Sequence, residues 1–332
     1  MAFILKQSND DFIVKELINE YNLLYNHGED YTYIEVRKKG IRTVDMMKTI
    51  AEKMNILIDE ISYAGLKDED AITFQTIAIK GKYNVNNLPY FSIEDDFFEV
   101  LQIVGYSKFP INIGNLLGNI FNIQIRGISE KEMKGMLSLF NKHTLLFPFI
   151  NYYGEQRFGL PGKIHNTHLI GKAIINNNME LVKRYLTESG QIYENTSNED
   201  TLKIIDSQKT FFINSYMSFL WNLKLDKEIM RFGKCIYEIN TFPISLHICK
   251  DLESIYRNRY ISYTYYSKRG KDIKIKSTLR SCFEQVKVRL NSYEKNIDGS
   301  YSANVSFVLK EGSYATMLIK QLERTVQERA YD

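Results

Sequence analysis

The chain has few cysteines, three in 332 residues, at Cys235, Cys249 and Cys282. An odd and widely spaced set supports neither a disulfide framework nor a four-cysteine zinc site, so reduced structural thiols are expected. Histidine is also sparse, at five; the only close pair is His165 and His168 at helical spacing, and the further ligands of a zinc site are absent from the neighbouring sequence. No metal is expected. Long apolar runs are missing too: no stretch reaches the roughly 18 residues that a bilayer-spanning helix requires. The opening Met-Ala-Phe-Ile-Leu-Lys-Gln lacks the basic segment and extended apolar stretch of a secretory signal, so the expectation is a cytoplasmic protein with no membrane partner. Charge of one sign is the last shortage. A net charge of +3 and a pI near 8.4 fall well short of a simple phosphate binder, and overall charge does not by itself point to nucleic acid.

What is present is an ordinary globular composition, 44% hydrophobic and 25% charged, in a chain long enough for two domains. Residues 12–17 and 31–37 alternate apolar and polar side chains and read as strands with one buried face. The period then changes over 43–55, where Thr43 is a candidate N-cap and Val44, Met47, Ile50, Ala51 and Met54 share a helical face. Further strands are expected over 61–64, 71–80, 97–106 and 120–126; the last sets Phe121, Ile123 and Ile125 against Asn122, Gln124 and Arg126. Ser129 and Glu132 form a capping-box pattern before a helix over 133–141. Beyond Pro161-Gly162 the pattern turns helical, over 167–188 and 208–224. Residues 303–309 then alternate as a strand, and 313–326 read as a closing helix. Strands with helices, a helical insert, and a strand and helix that rejoin them predict an α+β core interrupted by a second domain.

Two segments carry the chemistry. Residues 63–75, Tyr-Ala-Gly-Leu-Lys-Asp-Glu-Asp-Ala-Ile-Thr-Phe-Gln, put an acidic cluster in a turn between two strands, a rigid support that leaves a side chain open to a ligand. Residues 151–159, Asn-Tyr-Tyr-Gly-Glu-Gln-Arg-Phe-Gly, combine flat aromatic faces with glycines that let the backbone bend or approach closely. A third feature is a basic stripe. From Arg257 to Arg289 there are ten basic residues, Lys274, Lys276 and Arg280 among them, against two acidic ones, and four tyrosines are interleaved. That mix can neutralise phosphates and stack on bases. The run Arg37-Lys38-Lys39-Gly40-Ile41-Arg42 is a second candidate phosphate contact.

Together the two segments resemble the signatures of the TruD family of pseudouridine synthases, approximately A-G-x-K-D-x-x-A-x-T-x-Q and N-Y-[FY]-G-x-Q-R-F-G. Three more stretches resemble the family in its own order. Lys6 with residues 9–16 resembles K-x-x-P-E-D-F-x-V-x-E, with Asn9 in place of proline. Leu117-Gly118-Asn119 followed by Phe121 resembles K-G-N-x-F, with Leu117 in place of lysine. Gly312-Ser313-Tyr314-Ala315-Thr316 resembles G-S-[FY]-A-T. The resemblance implies a pseudouridine synthase core, a mixed and mainly antiparallel sheet with helices, interrupted by an inserted TRUD-type α+β domain. Residues 1–159 and 284–332 would form the core and 160–283 the RNA-binding insert.

The implied reaction breaks the N1–C1′ bond of a uridine, turns the uracil and rejoins it through C5, needing neither cofactor nor metal. It calls for a carboxylate nucleophile, a cation that keeps it ionised and a flat surface that retains the base. The resemblance assigns these roles to Asp68, Lys6 and Tyr153. It adds Asn151 as an active-site amide and Phe12 as part of the pocket. Arg157 ties the glycine-rich segment to the core before it contacts substrate. The implied substrate is tRNA, at uridine 13 of the D-arm, with Lys274 and Lys276 on its phosphates. The alternative is a catalytically inactive RNA-binding or RNA-folding protein on the same fold. A hydrolase pairing Asp68 with Glu69 or Asp70 is disfavoured, because adjacent strand residues point to opposite faces. Oligomeric state is not readable from the sequence.

Overall fold

The computed structural model describes residues 3–21, 23, 28–84, 90–93, 96–159, 164–251, 260–261 and 280–331. The chain falls into two compact units: Met1–Phe147 with Val286–Gly312 and Val326–Asp332, and Pro148–Gln285 with Ser313–Thr325. In chain order the elements begin with β1 (Phe12–Ile18), β2 (Tyr31–Lys39), α1 (Thr43–Met54), β3 (Ile61–Tyr63), β4 (Ile72–Lys80), β5 (Tyr90–Ile93), β6 (Asp96–Ser107) and β7 (Leu116–Ile128). They continue with α2 (Glu130–Leu139), β8 (Thr144–Ile150), α3 (Thr167–Ile175), α4 (Met179–Glu188), α5 (Asn198–Phe232), β9 (Lys234–Ile239) and β10 (Leu246–Asp251). Last come β11 (Tyr260–Ile261), β12 (Arg280–Ser281), β13 (Phe283–Lys295), β14 (Tyr301–Lys310) and α6 (Ala315–Tyr331).

A ten-stranded sheet runs in the order β5-β6-β2-β4-β1-β7-β14-β13-β8, with β3 added on β4. Strand β1 pairs in parallel with β4, Val14 opposite Thr73, and antiparallel with β7, Val14 opposite Phe121. The β2–β4, β2–β6, β7–β14 and β13–β14 pairs are antiparallel. The alternation expected in β7 holds: Phe121, Ile123 and Ile125 are buried, and Phe121 stacks on its cross-strand partner Phe307 at 5.5 Å. On the other face Asn304 donates to Asn122 and Gln124 at 2.7 and 3.2 Å.

Helix α1 lays Met46, Met47, Ile50 and Ala51 on Ile34, Val36, Ile77, Ile79 and Phe98 of β2, β4 and β6. Each large side chain removed from water there contributes about 2 kcal/mol. The expected face is rotated, since Val44 is exposed and Met46 is buried. Counting i, i+3, i+4, i+7 and i+8 from Thr43 reproduces the observed stripe. Thr43 is the first helical residue, with Arg42 as N-cap, and its hydroxyl is used elsewhere. The Ser129–Glu132 capping box forms as expected, through the Ser129 N–H to Oε2 of Glu132 at 2.9 Å and the Glu132 N–H to Oγ of Ser129 at 3.3 Å.

The second unit has its own core of Ile170, Ile174, Val182, Leu186, Ile205 and Phe212 from α3, α4 and α5, among others. The single helix expected over 167–188 is two, because Asn177 adopts a left-handed φ of +53°. Asn178 then starts α4 by accepting the Leu181 N–H at 3.0 Å. The helix expected over 208–224 is longer, capped at its start by Ser197, which accepts the Asp200 N–H at 3.0 Å. The β9–β10 hairpin was not foreseen. Among the described residues no helix is long and apolar enough to cross a membrane.

Candidate active site

Residues 64–71 form the irregular connection from β3 to β4, and within it Glu69 and Asp70 are exposed. The side chain of Asp68 is 35% exposed, and its Oδ2 lies 2.9 Å from Nζ of Lys6. Lys6 reaches it from the N-terminal segment with a left-handed φ of +55°. For a residue with a Cβ that conformation costs about 1–2 kcal/mol. Such strain persists where surrounding structure imposes it, often at functional positions. Phe12, 2% exposed, supplies the floor: the Lys6 ammonium sits 4.4 Å from its ring centroid, and its ring packs edge-on to Phe121 at 6.0 Å. In this arrangement Phe12 meets Lys6 first, and any substrate contact would be through it.

The turn is pinned along its length. Gln75 of β4 donates to Gly65 O at 2.8 Å, and the Thr43 hydroxyl accepts the Lys67 N–H at 3.1 Å. Nζ of Lys67 makes a 2.6 Å ion pair with Oε1 of Glu16 in β1, both side chains being buried. Burial pushes the Glu16 carboxyl up; Lys67 and the Thr76 N–H oppose this without cancelling it. Two of the resembling stretches, ending at Glu16 and containing Lys67, thus meet in one buried pair.

Within the basic run at 37–42 each cation has a partner in the chain, while the side chains of Arg37 and Arg42 stay 38% and 67% exposed. Arg37 pairs with Glu99 at 2.6 Å over the Phe97 ring, Lys39 with Asp10 at 3.1 Å and Arg42 with Asp45 at 2.5 Å. Lys38 is fully buried and donates to main-chain carbonyls of the Asp68 turn.

The second unit gathers Asn151, Tyr153 and Arg157. At the end of β8 the Gln321 side chain brackets Ile150, accepting its N–H at 3.0 Å and donating to its carbonyl at 2.7 Å. Asn151 follows, buried, with its N–H on Cys282 O at 2.8 Å and Nδ2 on Ser281 O at 3.2 Å. Arg280 donates to both Asn151 oxygens, Nε to the carbonyl at 3.0 Å and Nη2 to Oδ1 at 2.6 Å. The same guanidinium lies 4.0 Å from the Tyr153 ring centroid and 5.3 Å from that of Trp221. Burial holds it below the ordinary arginine range, opposed by Tyr153 and Tyr314.

The Tyr153 main chain is locked by reciprocal bonds with the Asn222 side chain, both 2.9 Å, and its ring meets Trp221 and Tyr314 at 5.6 and 6.0 Å. Arg157 donates to Ser218 Oγ at 3.0 Å, a tie to α5 of the second unit rather than the tie to the core expected of it, with its guanidinium 5.9 Å from the Tyr153 ring. Gly159 cannot carry a side chain, since a Cβ there would lie 2.3 Å from Nδ1 of His165.

Lys38, Arg280, Trp221 and Tyr314 were not singled out from sequence as site residues. Arg280 was counted within the basic stripe, and the chain's one tryptophan was the available signal for a ring platform. His165 and His168 have other company: His165 faces Phe242 at 5.3 Å, and His168 is buried against Phe219 and Phe158 at 4.9 and 5.6 Å. Among the described residues no group of three His, Cys, Asp or Glu is placed to hold a metal ion. Lys274 and Lys276, with most of the basic stripe, lie outside the described residues.

The first unit therefore offers a half-exposed carboxylate with a cation beside it, and the second a fixed aromatic platform backed by a guanidinium. The family model for tRNA pseudouridine synthase D (TruD) matches residues 1–206. The Methanococcus maripaludis protein named "Probable tRNA pseudouridine synthase D 1" is 26% identical, the match covering 96% of this chain and 98% of that one. The protein of similar name from Nanoarchaeum equitans is 28% identical over 95% and 85%. Among solved structures, a Methanosarcina mazei chain assigned to TruD superposes with a TM-score of 0.58 at 21% identity, covering 97% and 94%, and shares the fold. Since the family model spans more than half of its residues, the chain belongs to the tRNA pseudouridine synthase D (TruD) family.

Proposed function

We propose that the chain isomerises uridine to pseudouridine in tRNA, at uridine 13 of the D-arm. Asp68 is the nucleophile, Lys6 its ion-pair partner and Tyr153 the ring that stacks on the flipped base. The N1–C1′ bond breaks, the uracil turns in place, C5 joins C1′, the C5 proton passes to solvent and N1 takes up a proton, with no net redox change. The base must leave its stack to reach such groups, so tRNA shape and phosphate contacts carry recognition. Asn151 and Arg157 hold the Tyr153 segment in place. Residues 1–159 and 284–332 make up the catalytic core, and 160–283 the inserted RNA-binding domain, with Lys274 and Lys276 on tRNA phosphates. The division of the chain near residues 148 and 285 supports an insert between two parts of a core, with residues 148–159 and Ser313–Thr325 grouped in the second unit.

The observation that carries the reading is the Lys6–Asp68 pair at 2.9 Å. It joins two family-like segments 62 residues apart around a carboxylate that remains accessible. The test is release of label from unmodified tRNA tritiated at uridine C5. The wild type should release it, and Asp68→Asn should abolish release while tRNA binding persists. Retained binding with no release by the wild type from any RNA would favour the inactive RNA-binding protein. Sequencing the product locates the modified uridine.

A further inference from the structure

Lys38 is a charged side chain with no surface at all, being 0% exposed on β2. Its ammonium donates to three main-chain carbonyls: Asp68 O at 2.7 Å, Ile41 O at 2.8 Å and Lys67 O at 3.4 Å. An ammonium has three N–H donors, so these contacts use its full capacity. Burying such a group is costly unless its donors are all engaged. Burial lowers its pKa to about 8, while the charges of Asp68 and Glu69 favour the protonated form and Lys67 opposes it.

The carbonyls explain why a cation is there. Residues 64–71 have no regular secondary structure, so the oxygens of Lys67 and Asp68 have no ladder partner, and a buried main-chain acceptor must find one. An amide or hydroxyl could serve one of them. Only a long side chain ending in several donors can gather carbonyls from residues 41, 67 and 68 at once. Asp68 is thereby held at two ends, its carboxylate by Lys6 and its own peptide oxygen by Lys38.

We propose that Lys38 is a positioning residue for the proposed nucleophile: an internal ammonium that fixes the Lys67 and Asp68 peptides and so aims the Asp68 carboxylate. This rests on the reading of Asp68 given above. Lys38 touches no reacting atom and acts through Asp68 alone.

The test is Lys38→Met, which keeps the stem and removes the donors. In single-turnover release of label from tritiated tRNA the rate should fall by about a hundredfold, the scale of a misplacement near 1 Å. The tRNA dissociation constant should stay within about twofold, by the rule that positioning lost only at the reacting centre spares binding. Lys38→Gln, with two donors and no charge, should lie between. A wild-type rate in folded Lys38→Met would overturn the proposal, as would a loss appearing equally in binding.

Should both variants fail to fold, the wild-type protein still decides. The Lys38 side-chain nitrogen, observed by NMR, should be a slowly exchanging ammonium at pH 6, and exchange as fast as a surface lysine would overturn the clamp. Normal release by Asp68→Asn would overturn the reading of Asp68 instead, and leave the clamp to be judged by that exchange.

Discussion

Arg280 sets one guanidinium against the two oxygens of Asn151 and the rings of Tyr153 and Trp221, from 129 residues along the chain. A planar fork can make two parallel bonds and still offer a face to a ring, which an ammonium cannot. Arg280→Met should leave both Asn151 acceptors without these donors and cost about 1–3 kcal/mol in urea unfolding, with Arg280→Lys recovering little of it. Because the group is spent inside the chain, the salt dependence of tRNA binding should not change. A flatter slope would return Arg280 to the phosphate-binding stripe. His168 makes the companion case at this scale. Buried among aromatic rings, its pKa falls from 6.5 to about 4, mainly through burial, with Lys172 adding to the effect. Above pH 6.5 both folded and unfolded forms are neutral; below it the unfolded chain takes up a proton that the folded chain refuses until about pH 4. Stability should therefore fall across that window. His168→Phe should show a smaller drop in urea midpoint between pH 7 and 4 than the wild type.

At the scale of elements, the Asp68 turn is an irregular segment made definite by its neighbours. Strand β1 contributes Glu16, α1 contributes Thr43, β2 contributes Lys38 and β4 contributes Gln75. Of these, the Glu16–Lys67 pair has the most to lose, because removing one partner leaves a buried charge. Lys67→Met is expected to destabilise by about 3 kcal/mol, and adding Glu16→Gln should recover part of that by removing the orphaned charge. A double variant as unstable as the sum of the two single ones would show that the pair is not coupled. Helix packing in the second unit depends on a similarly local fact: a Cβ on Gly171 of α3 would lie 2.0 Å from Phe212 O of α5. The backbones cross there at a distance only glycine permits. That contact also accounts for a glycine inside a helix, where propensity alone disfavours it.

For the whole molecule, the proposed recognition of tRNA rests on the basic stripe and the insert, while the proposed chemistry rests on a few residues from distant parts of the chain. Replacing Lys274 and Lys276 together by alanine should weaken tRNA binding and flatten the plot of log affinity against log salt by about one to two units. An unchanged slope would remove the stripe from the interface. The sequence by itself determined what local physics controls. Alternation marked the buried face of β7, Ser129 and Glu132 announced the start of α2, and the family-like segments nominated Lys6 and Asp68, which the fold brings to 2.9 Å. Apolar period and capping depend on neighbours within a few residues, so they can be read in one dimension. Tertiary structure alone decided which cations are spent inside the molecule. Lys38 and Arg280 lie in basic stretches that look solvated in sequence, yet one serves the peptides of residues 67 and 68 and the other backs Asn151 and Tyr153. Whether a charge faces water or a set of carbonyls is fixed by segments 29 to 129 residues away, and no local pattern carries that information.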